Sequence, residues 1–398
     1  MKKDSLHILI STAWYKNNQY PNAGSFVEEQ ARMFSTRGHK VSVLHPFLMG
    51  RFFDNSWNKK MHISTENDDG IHTIRIGIPP VLPKVKRLSY QKLIKKCINY
   101  LADYIEKEGK PDIIHSHSFF MGGLIGHKLS NRFNIPLFHT EHASSLIVSP
   151  KEYYSSDKTY VKKGFSKAKK VFFVSSFSKE KTLEMIKYKG NNTEVLPNVV
   201  DSYFFQTPLK KVDESSFKYL IIGNFDDNKN QALAIDSFAE VLKECPNSTL
   251  TIVGNGKYKK DLHELANNLS IEDKIVWKED LTRDEVKVAI SNTDVMLSCS
   301  KIETFGLTIA EGMACGKPCV VTNSGGINDF VKNENGIISQ LEVNSFANCM
   351  IEVQENYQYY DSKKIRSICE KLFSEKTIYN KILRHYTYYL SQFTSNHF

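Results

Sequence analysis

Glu303 and Glu311 stand with seven residues between them, in the one stretch of the chain whose residue types and spacing are most suited to chemistry. The stretch reads Lys301-Ile-Glu-Thr-Phe-Gly-Leu-Thr-Ile-Ala-Glu-Gly-Met-Ala-Cys-Gly-Lys-Pro-Cys-Val-Val-Thr322. Leu307, Ile309, Ala310, Met313 and Ala314 form an apolar helical stripe, and Gly316 occupies a C-cap position. The predicted helix starts near Gly306, with Glu303 in the loop before it and Glu311 on its second turn. At ~1.5 Å rise per residue the two acids are roughly 12 Å apart, about the reach from a sugar to a ribose across a diphosphate. The unpaired N–H groups of the first turn lie between them and favour an anion. An isolated pair of acids flanking a helix start is usually a cap and a solvated face.

The elements that must position these residues alternate along the chain. In the second half, apolar strands are predicted at Tyr219–Gly223, Leu250–Gly254, Ile275–Trp277, Asp294–Ser298 and Pro318–Thr322, with a helix over Gln231–Glu244. In the first half, strands are predicted at His7–Ser11, Val41–Leu44, Ile71–Ile76, Asp112–His117, Pro136–His142 and Lys170–Ser176. Helices fall at Ser25–Thr36, after the turn Pro21-Asn-Ala-Gly24, and at Leu88–Ile105. Such alternation marks parallel sheets covered on both faces. Phe47–Trp57 reads as an irregular aromatic excursion and the polar run Gln206–Ser216 as a linker. Helices near 343–356 and 362–373 precede an amphipathic one from about Lys376 to Leu390. The carboxyl ends of strands in open parallel sheets face the ligand, which makes His115, His117, Glu141 and His142 candidates for proton handling or acceptor binding. The alternative for each histidine is a packed, hydrogen-bonded side chain.

The central stretch resembles the donor site of retaining glycosyltransferases of family 4, whose signature is E-x-F-G-x-x-x-x-E followed by A-x-G-x-P-V-V and a Gly-Gly turn. Here it stands as Glu303-Thr-Phe-Gly-Leu-Thr-Ile-Ala-Glu311, Ala314-Cys-Gly-Lys-Pro-Cys-Val-Val321 and Ser324-Gly-Gly326. Gly24-Ser-Phe26 and Arg37-Gly-His-Lys-Val41 are similar to the family's first unit, and Glu194-Val-Leu-Pro-Asn-Val-Val-Asp201 to its Pro-Asn-Gly-Val-Asp link, with valine for the glycine. The resemblance implies an α/β GT-B fold, two Rossmann-like domains with a cleft between them and a terminal helix crossing back to the first. The boundaries expected are 1–205 for an acceptor-binding domain, 206–375 for a nucleotide-sugar donor domain and 376–398 for the returning helix.

It also implies roles. Glu303, Lys229, His117 and His142 are the expected catalytic residues. Gly24, Asn224, Lys229, Leu281, Glu303, Phe305, Gly306, Leu307, Thr308 and Glu311 are expected at the donor, with Glu311 on the ribose and the backbone after Leu281 at the base. His115 is expected to be packed. In the loop Asn224-Phe-Asp-Asp-Asn-Lys-Asn230, Lys229 fits the family's diphosphate-gripping lysine, but Asn224 stands where an arginine is expected. That exchange removes a fixed charge and a bidentate donor.

The totals narrow the class. A chain of 398 residues with 41% hydrophobic and 24% charged residues is ordinary globular protein, long enough for two cores. No apolar run approaches the roughly 20 residues of a membrane span. The seven cysteines are scattered, as in a reducing compartment, and no Asp-x-Asp stands in the chain as a metal-site motif. The formal net charge of +9 is compatible with anionic partners without selecting one. Lys84, Lys86, Arg87, Lys92, Lys95 and Lys96 crowd one helix start, and Lys158, Lys162, Lys163, Lys167, Lys169 and Lys170 cluster further on. They read as solvated faces or as a surface for anionic membrane.

The expectation is a metal- and cofactor-independent hexosyltransferase acting from the cytoplasm. It would take a nucleotide-sugar donor and a glycan or lipid-linked acceptor, for cell-surface polysaccharide or glycolipid synthesis, peripheral to the inner face of the membrane and without nucleic acid. Its rivals are a sugar-nucleotide epimerase or phosphorylase on the same scaffold, and a sugar-nucleotide-binding protein without turnover.

Overall fold

The computed structural model describes residues 5–17, 23–49, 61–79, 86–142, 147, 155–209 and 216–395. The chain divides into two compact units, one of Met1–Val199 with Ile378–Phe398 and the other of Val200–Thr377.

The first unit is built on one sheet. Its elements are β1 (His7–Thr12), α1 (Ser25–Ser35), β2 (Lys40–Leu48), β3 (His62–Asp68), β4 (Ile71–Ile78), α2 (Lys86–Glu108), β5 (Ile113–His117), α3 (Leu124–Phe133), β6 (Leu137–Glu141), α4 (Ser155–Lys167), β7 (Lys170–Phe173), α5 (Ser176–Ile186) and β8 (Thr193–Val195). The strands lie in the order β3-β4-β2-β1-β5-β6-β7-β8. All pairings are parallel except that of β3 with β4. Side chains of one strand leave on alternate faces, so Ile8 and Ile10 enter one core while Leu9 enters the other. The core on one face takes in α2, α3 and α4; the opposite one takes in α1 and Ile378, Ile382 and Tyr386 of the terminal helix Glu375–Ser395.

The second unit repeats the plan. It holds α6 (Ser202–Phe205), β9 (Phe217–Ile222), α7 (Gln231–Glu244), β10 (Ser248–Val253), α8 (Lys259–Asn268), β11 (Ile275–Lys278), α9 (Arg283–Ser291), β12 (Val295–Ser298), α10 (Leu307–Ala314), β13 (Cys319–Thr322), β14 (Gly336–Ser339), α11 (Val343–Glu355) and α12 (Ser362–Phe373). Its parallel sheet runs β11-β10-β9-β12-β13-β14. Tyr219, Ile221, Leu250, Ile252, Val295 and Leu297 pack against α7, α8 and α11. Among the described residues no helix is long and apolar enough to cross a membrane.

Three differences from the expected outline have local causes. The second unit begins at Val200, not 206. The Val200 N–H donates to Phe373 O at 2.9 Å, and buried Phe204 offers its carbonyl to Cys315 Sγ at 3.6 Å, so α6 packs within that unit. Of the linker expected over Gln206–Ser216, residues 210–215 lie outside the described residues, as do 50–57 of the aromatic excursion; Phe47 and Leu48 simply continue β2. Strand β3 has no apolar alternation to announce it. It is created by the turn Asp69-Gly70, whose φ values of 53° and 83° suit a two-residue hairpin.

The terminal helix is part of the first unit's core, and Tyr386 is fully buried there with its hydroxyl at 2.5 Å from His115 Nδ1. Tyr386→Ala should destabilise the fold by about 3–5 kcal/mol. Tyr386→Phe, which loses only that hydrogen bond, should cost about 1–2 kcal/mol. Urea unfolding followed by circular dichroism measures both; equal midpoints for Tyr386→Ala and wild type would refute the core assignment.

Candidate active site

In the second unit the site is made where two loops are tied together. Asp226 Oδ1 accepts from the N–H groups of Asn228 and Lys229 at 3.0 and 2.9 Å, folding the loop after β9 back on itself. The Asn228 side chain then pairs with Ile302 as a strand would: Nδ2 donates to Ile302 O at 2.9 Å and Oδ1 accepts from Ile302 N–H at 3.0 Å. The Glu303 N–H donates to Ser324 O at 2.8 Å and Gly326 N–H to Glu303 O at 2.7 Å, so the turn after β13 clamps the acid's backbone from the other side. Between these ties Lys229 Nζ meets Glu303 Oε2 at 2.5 Å.

Helix α10 begins directly beyond. Gly306 caps it in the left-handed region at φ 90°, with Ile327 Cδ1 2.8 Å from where a Cβ would be, so a side chain there meets both strain and a neighbour. Leu307 and Thr308 are partly exposed, and their first-turn N–H groups have no partner within the helix. Phe305 is buried, its ring 5.6 Å from that of Phe330 and 5.2 Å from that of Phe373. Only its backbone is therefore left for a ligand. Asn224 is exposed, and its carbonyl, not its side chain, holds the loop by accepting from Gln231 Nε2 at 2.9 Å. Leu281 is partly exposed just ahead of α9.

Glu311 is 2% exposed and does not stand alone. Arg283 Nη1 lies 2.6 Å from its Oε1. Burial pushes the Glu311 carboxyl upward, and the Arg283 guanidinium opposes that shift. Arg283 opens α9 behind a capping box formed by Thr282 and Glu285, and its guanidinium lies over the Phe204 ring, 4.9 Å from the centroid. Tyr203 reaches the neighbouring Asp284 through its hydroxyl.

In the first unit the histidines sit at the ends of β5 and β6. His117 Nδ1 and His142 Nε2 are 2.9 Å apart, with the rings stacked at 5.1 Å. His142 also faces Phe26 of α1 at 4.2 Å between centroids. Gly24 caps that helix at φ 70°, where a Cβ would come within 2.3 Å of Trp14 O. His115 is packed, held between the Tyr386 hydroxyl and Thr140 Oγ1 at 2.7 Å. Burial drives the His117 pKa down to about 3 and that of His142 well below the usual value. At neutral pH both rings are uncharged, which makes them hydrogen-bonding groups and poor proton carriers.

The structure thus gathers Lys229, Glu303, Gly306, Leu307, Thr308 and Glu311 around one helix end, with Asn224 on the loop that carries Lys229. His117 and His142 form a separate pair in the first unit. Sequence reasoning missed Arg283, Asp226 and Asn228. The Thr282-x-x-Glu285 capping box was the available signal for a helix start at Arg283, but nothing in the sequence pointed that start at Glu311.

Residues 23–203 match the family model described as Glycosyltransferase Family 4, and residues 206–366 match the one described as Glycosyl transferases group 1. The N-acetyl-alpha-D-glucosaminyl L-malate synthase of Bacillus anthracis is 24% identical over 391 residues, spanning 92% of this chain and 96% of that protein. The UDP-Gal:alpha-D-GlcNAc-diphosphoundecaprenol alpha-1,3-galactosyltransferase of Escherichia coli is 25% identical over 306 residues, 71% of this chain and 76% of its own. Among solved structures, Anabaena HepE in complex with UDP and glucose superposes with a TM-score of 0.72 at 19% identity, covering 95% of this chain and 98% of that one. These matches do not favour an epimerase, a phosphorylase or a binding protein without turnover. Matched along both halves, the chain belongs to the group 1, family 4 glycosyltransferases and has the GT-B fold.

Proposed function

We propose that this glycosyltransferase is retaining. It takes a sugar from a nucleotide diphosphate and places it on an acceptor hydroxyl carried by a lipid or growing glycan, in cell-surface polysaccharide or glycolipid synthesis. The observation that carries the reading is the Lys229–Glu303 pair beside the open end of α10, with Glu311 one turn further in. Lys229 and the N–H groups of Leu307 and Thr308 stabilise the diphosphate as negative charge grows on it. Glu303 orients the hydroxyls of the transferred sugar, and Glu311 receives the ribose. Gly306 and the backbone of Phe305 border the diphosphate, Asn224 its far side, and the backbone after Leu281 the base. Gly24 serves the donor through its backbone, and His117 and His142 serve the acceptor side by hydrogen bonding. The departing phosphate oxygen takes the acceptor's proton while the new bond forms on the same face of the sugar, a route that needs no protein nucleophile. The UDP named with the Anabaena structure and the UDP-Gal in the name of the Escherichia coli relative support a nucleotide-sugar donor.

The acceptor's membrane setting rests on charge. Helix α3 packs between α2 and α4, so exposed Lys92, Lys95, Lys162, Lys163 and Lys167 share one layer with exposed Leu88 and Tyr160. The apolar stripe of α2, with Leu93, Cys97 and Leu101, is spent on the core. Attraction to an anionic inner leaflet is then electrostatic, at about 1 kcal/mol for each engaged lysine. The diphosphoundecaprenol in the name of the Escherichia coli relative supports a lipid-linked acceptor.

Glu311→Ala should weaken nucleoside diphosphate binding by about 1.5–3 kcal/mol with the fold retained; unchanged affinity in calorimetry would take Glu311 out of the site. Because the loop is held by Asp226 and by the carbonyl of residue 224, Asn224→Arg should be tolerated and should tighten binding of the same nucleotide. A looser complex would show that the diphosphate does not pass that position. Liposome sedimentation tests the membrane setting. Recovery should need anionic lipid, fall with added salt and drop on reversing Lys92, Lys95, Lys162 and Lys163 to glutamate; equal recovery on neutral vesicles would defeat it.

A further inference from the structure

Glu311 is the acid expected to receive a ribose, and the partner it already has is unexpected. Its carboxylate is almost wholly buried on the inner side of α10, and Arg283 Nη1 sits 2.6 Å from Oε1. Arg283 is itself held from three directions. The Thr282 capping box fixes the start of its helix, the Phe204 ring lies against its guanidinium, and Glu311 takes its hydrogen bond. A side chain anchored in this way does not merely neutralise a surface charge. A carboxylate offers about four lone-pair sites, and the contact of Nη1 with Oε1 takes one of them.

We propose that Arg283 is a positioning residue for the donor nucleotide, holding Glu311 as an oriented carboxylate whose remaining lone pairs meet the ribose hydroxyls. The inference rests on the placement of the ribose at Glu311 given above. The physical need is clear from the surroundings. The other titratable groups that act on Glu311 or feel its charge are Asp201 ahead of α6 and the thiols of Cys315 and Cys369. Asp201 adds to the upward push of burial, and neither thiol carries a positive charge. Without Arg283 the carboxyl would take up a proton at higher pH and offer the ribose a weaker acceptor. Phe204 and Arg283 together also link the segment that opens the second unit to nucleotide binding.

Calorimetric titration of the full chain with UDP, GDP and ADP identifies the nucleotide to carry forward, and its affinity is then followed from about pH 6 to about pH 9. Wild type sets the reference, and each variant is read as its ratio to wild type at the same pH, which cancels the ionisation of the nucleotide's own phosphate; a flat profile is a constant ratio. Arg283→Met should bind about tenfold more weakly near neutrality and recover as pH rises through the raised Glu311 value, since the binding form is the carboxylate. Arg283→Lys should keep most of the affinity and the flat profile, and the gap between Arg283→Met and wild type should shrink with the 2′-deoxy nucleotide, which keeps only the 3′-hydroxyl. A flat, unweakened profile for Arg283→Met would overturn the proposal, as would a pH-independent loss that lysine does not rescue. Glu311→Ala separates the two levels. If it binds as wild type does, or if wild type binds none of the three nucleotides, the ribose placement itself falls. If only Glu311→Ala is weakened, the role of Arg283 falls and the placement stands.

Discussion

Two carboxylates beside an open helix end pose an electrostatic problem: they repel any anion that the unpaired N–H groups would attract. The second unit answers with one cation for each acid. Lys229 reaches Glu303 from the loop after β9, and Arg283 reaches Glu311 from the start of α9. The two pairs differ in setting. Glu303 and its lysine are partly open to solvent, whereas Glu311 is enclosed and its arginine lies against Phe204. Much of the second unit's loop structure follows from this demand, because each cation is useful only at hydrogen-bond distance.

That precision comes from side-chain and backbone hydrogen bonds around the two pairs. Asp226 folds the lysine's loop, the Asn228 amide pairs it to the backbone at Ile302, and the Ser324–Gly326 turn clamps Glu303. The Asn228–Ile302 bonds join segments 74 residues apart, and only the parallel order β9-β12-β13 makes these strand ends neighbours. The sheet is thus less a support for the site than the reason its parts meet.

The first unit uses burial differently. Its histidines are stacked and hydrogen-bonded inside the carboxyl end of the sheet, and the cost of carrying a charge away from water keeps them neutral. A neutral pair with fixed geometry offers hydrogen bonds and no charge. The terminal helix contributes to that order through Tyr386 and His115, which ties the last residues of the chain to groups near its strand ends.

The two alternating sheets, the helix at Gly306, the acid on either side of its start and the lysine before them were all legible in the sequence, because each is written in residues close together: apolar periodicity, a glycine cap, a short motif. His115 could be set apart from His117 only through the resemblance, and the structure gives the cause in Tyr386. The hairpin strand β3 carried little apolar signal beyond its Asp69-Gly70 turn. The unit boundary at Val200 depended on a backbone bond to Phe373, and the partner of Glu311 came from a helix start 28 residues earlier. Local pattern determines which element a segment becomes, since helix and strand periodicities are properties of neighbours in the chain. Which charged side chain meets which is decided by sheet order and helix packing, and so Arg283 became visible only when the tertiary structure brought it to Glu311.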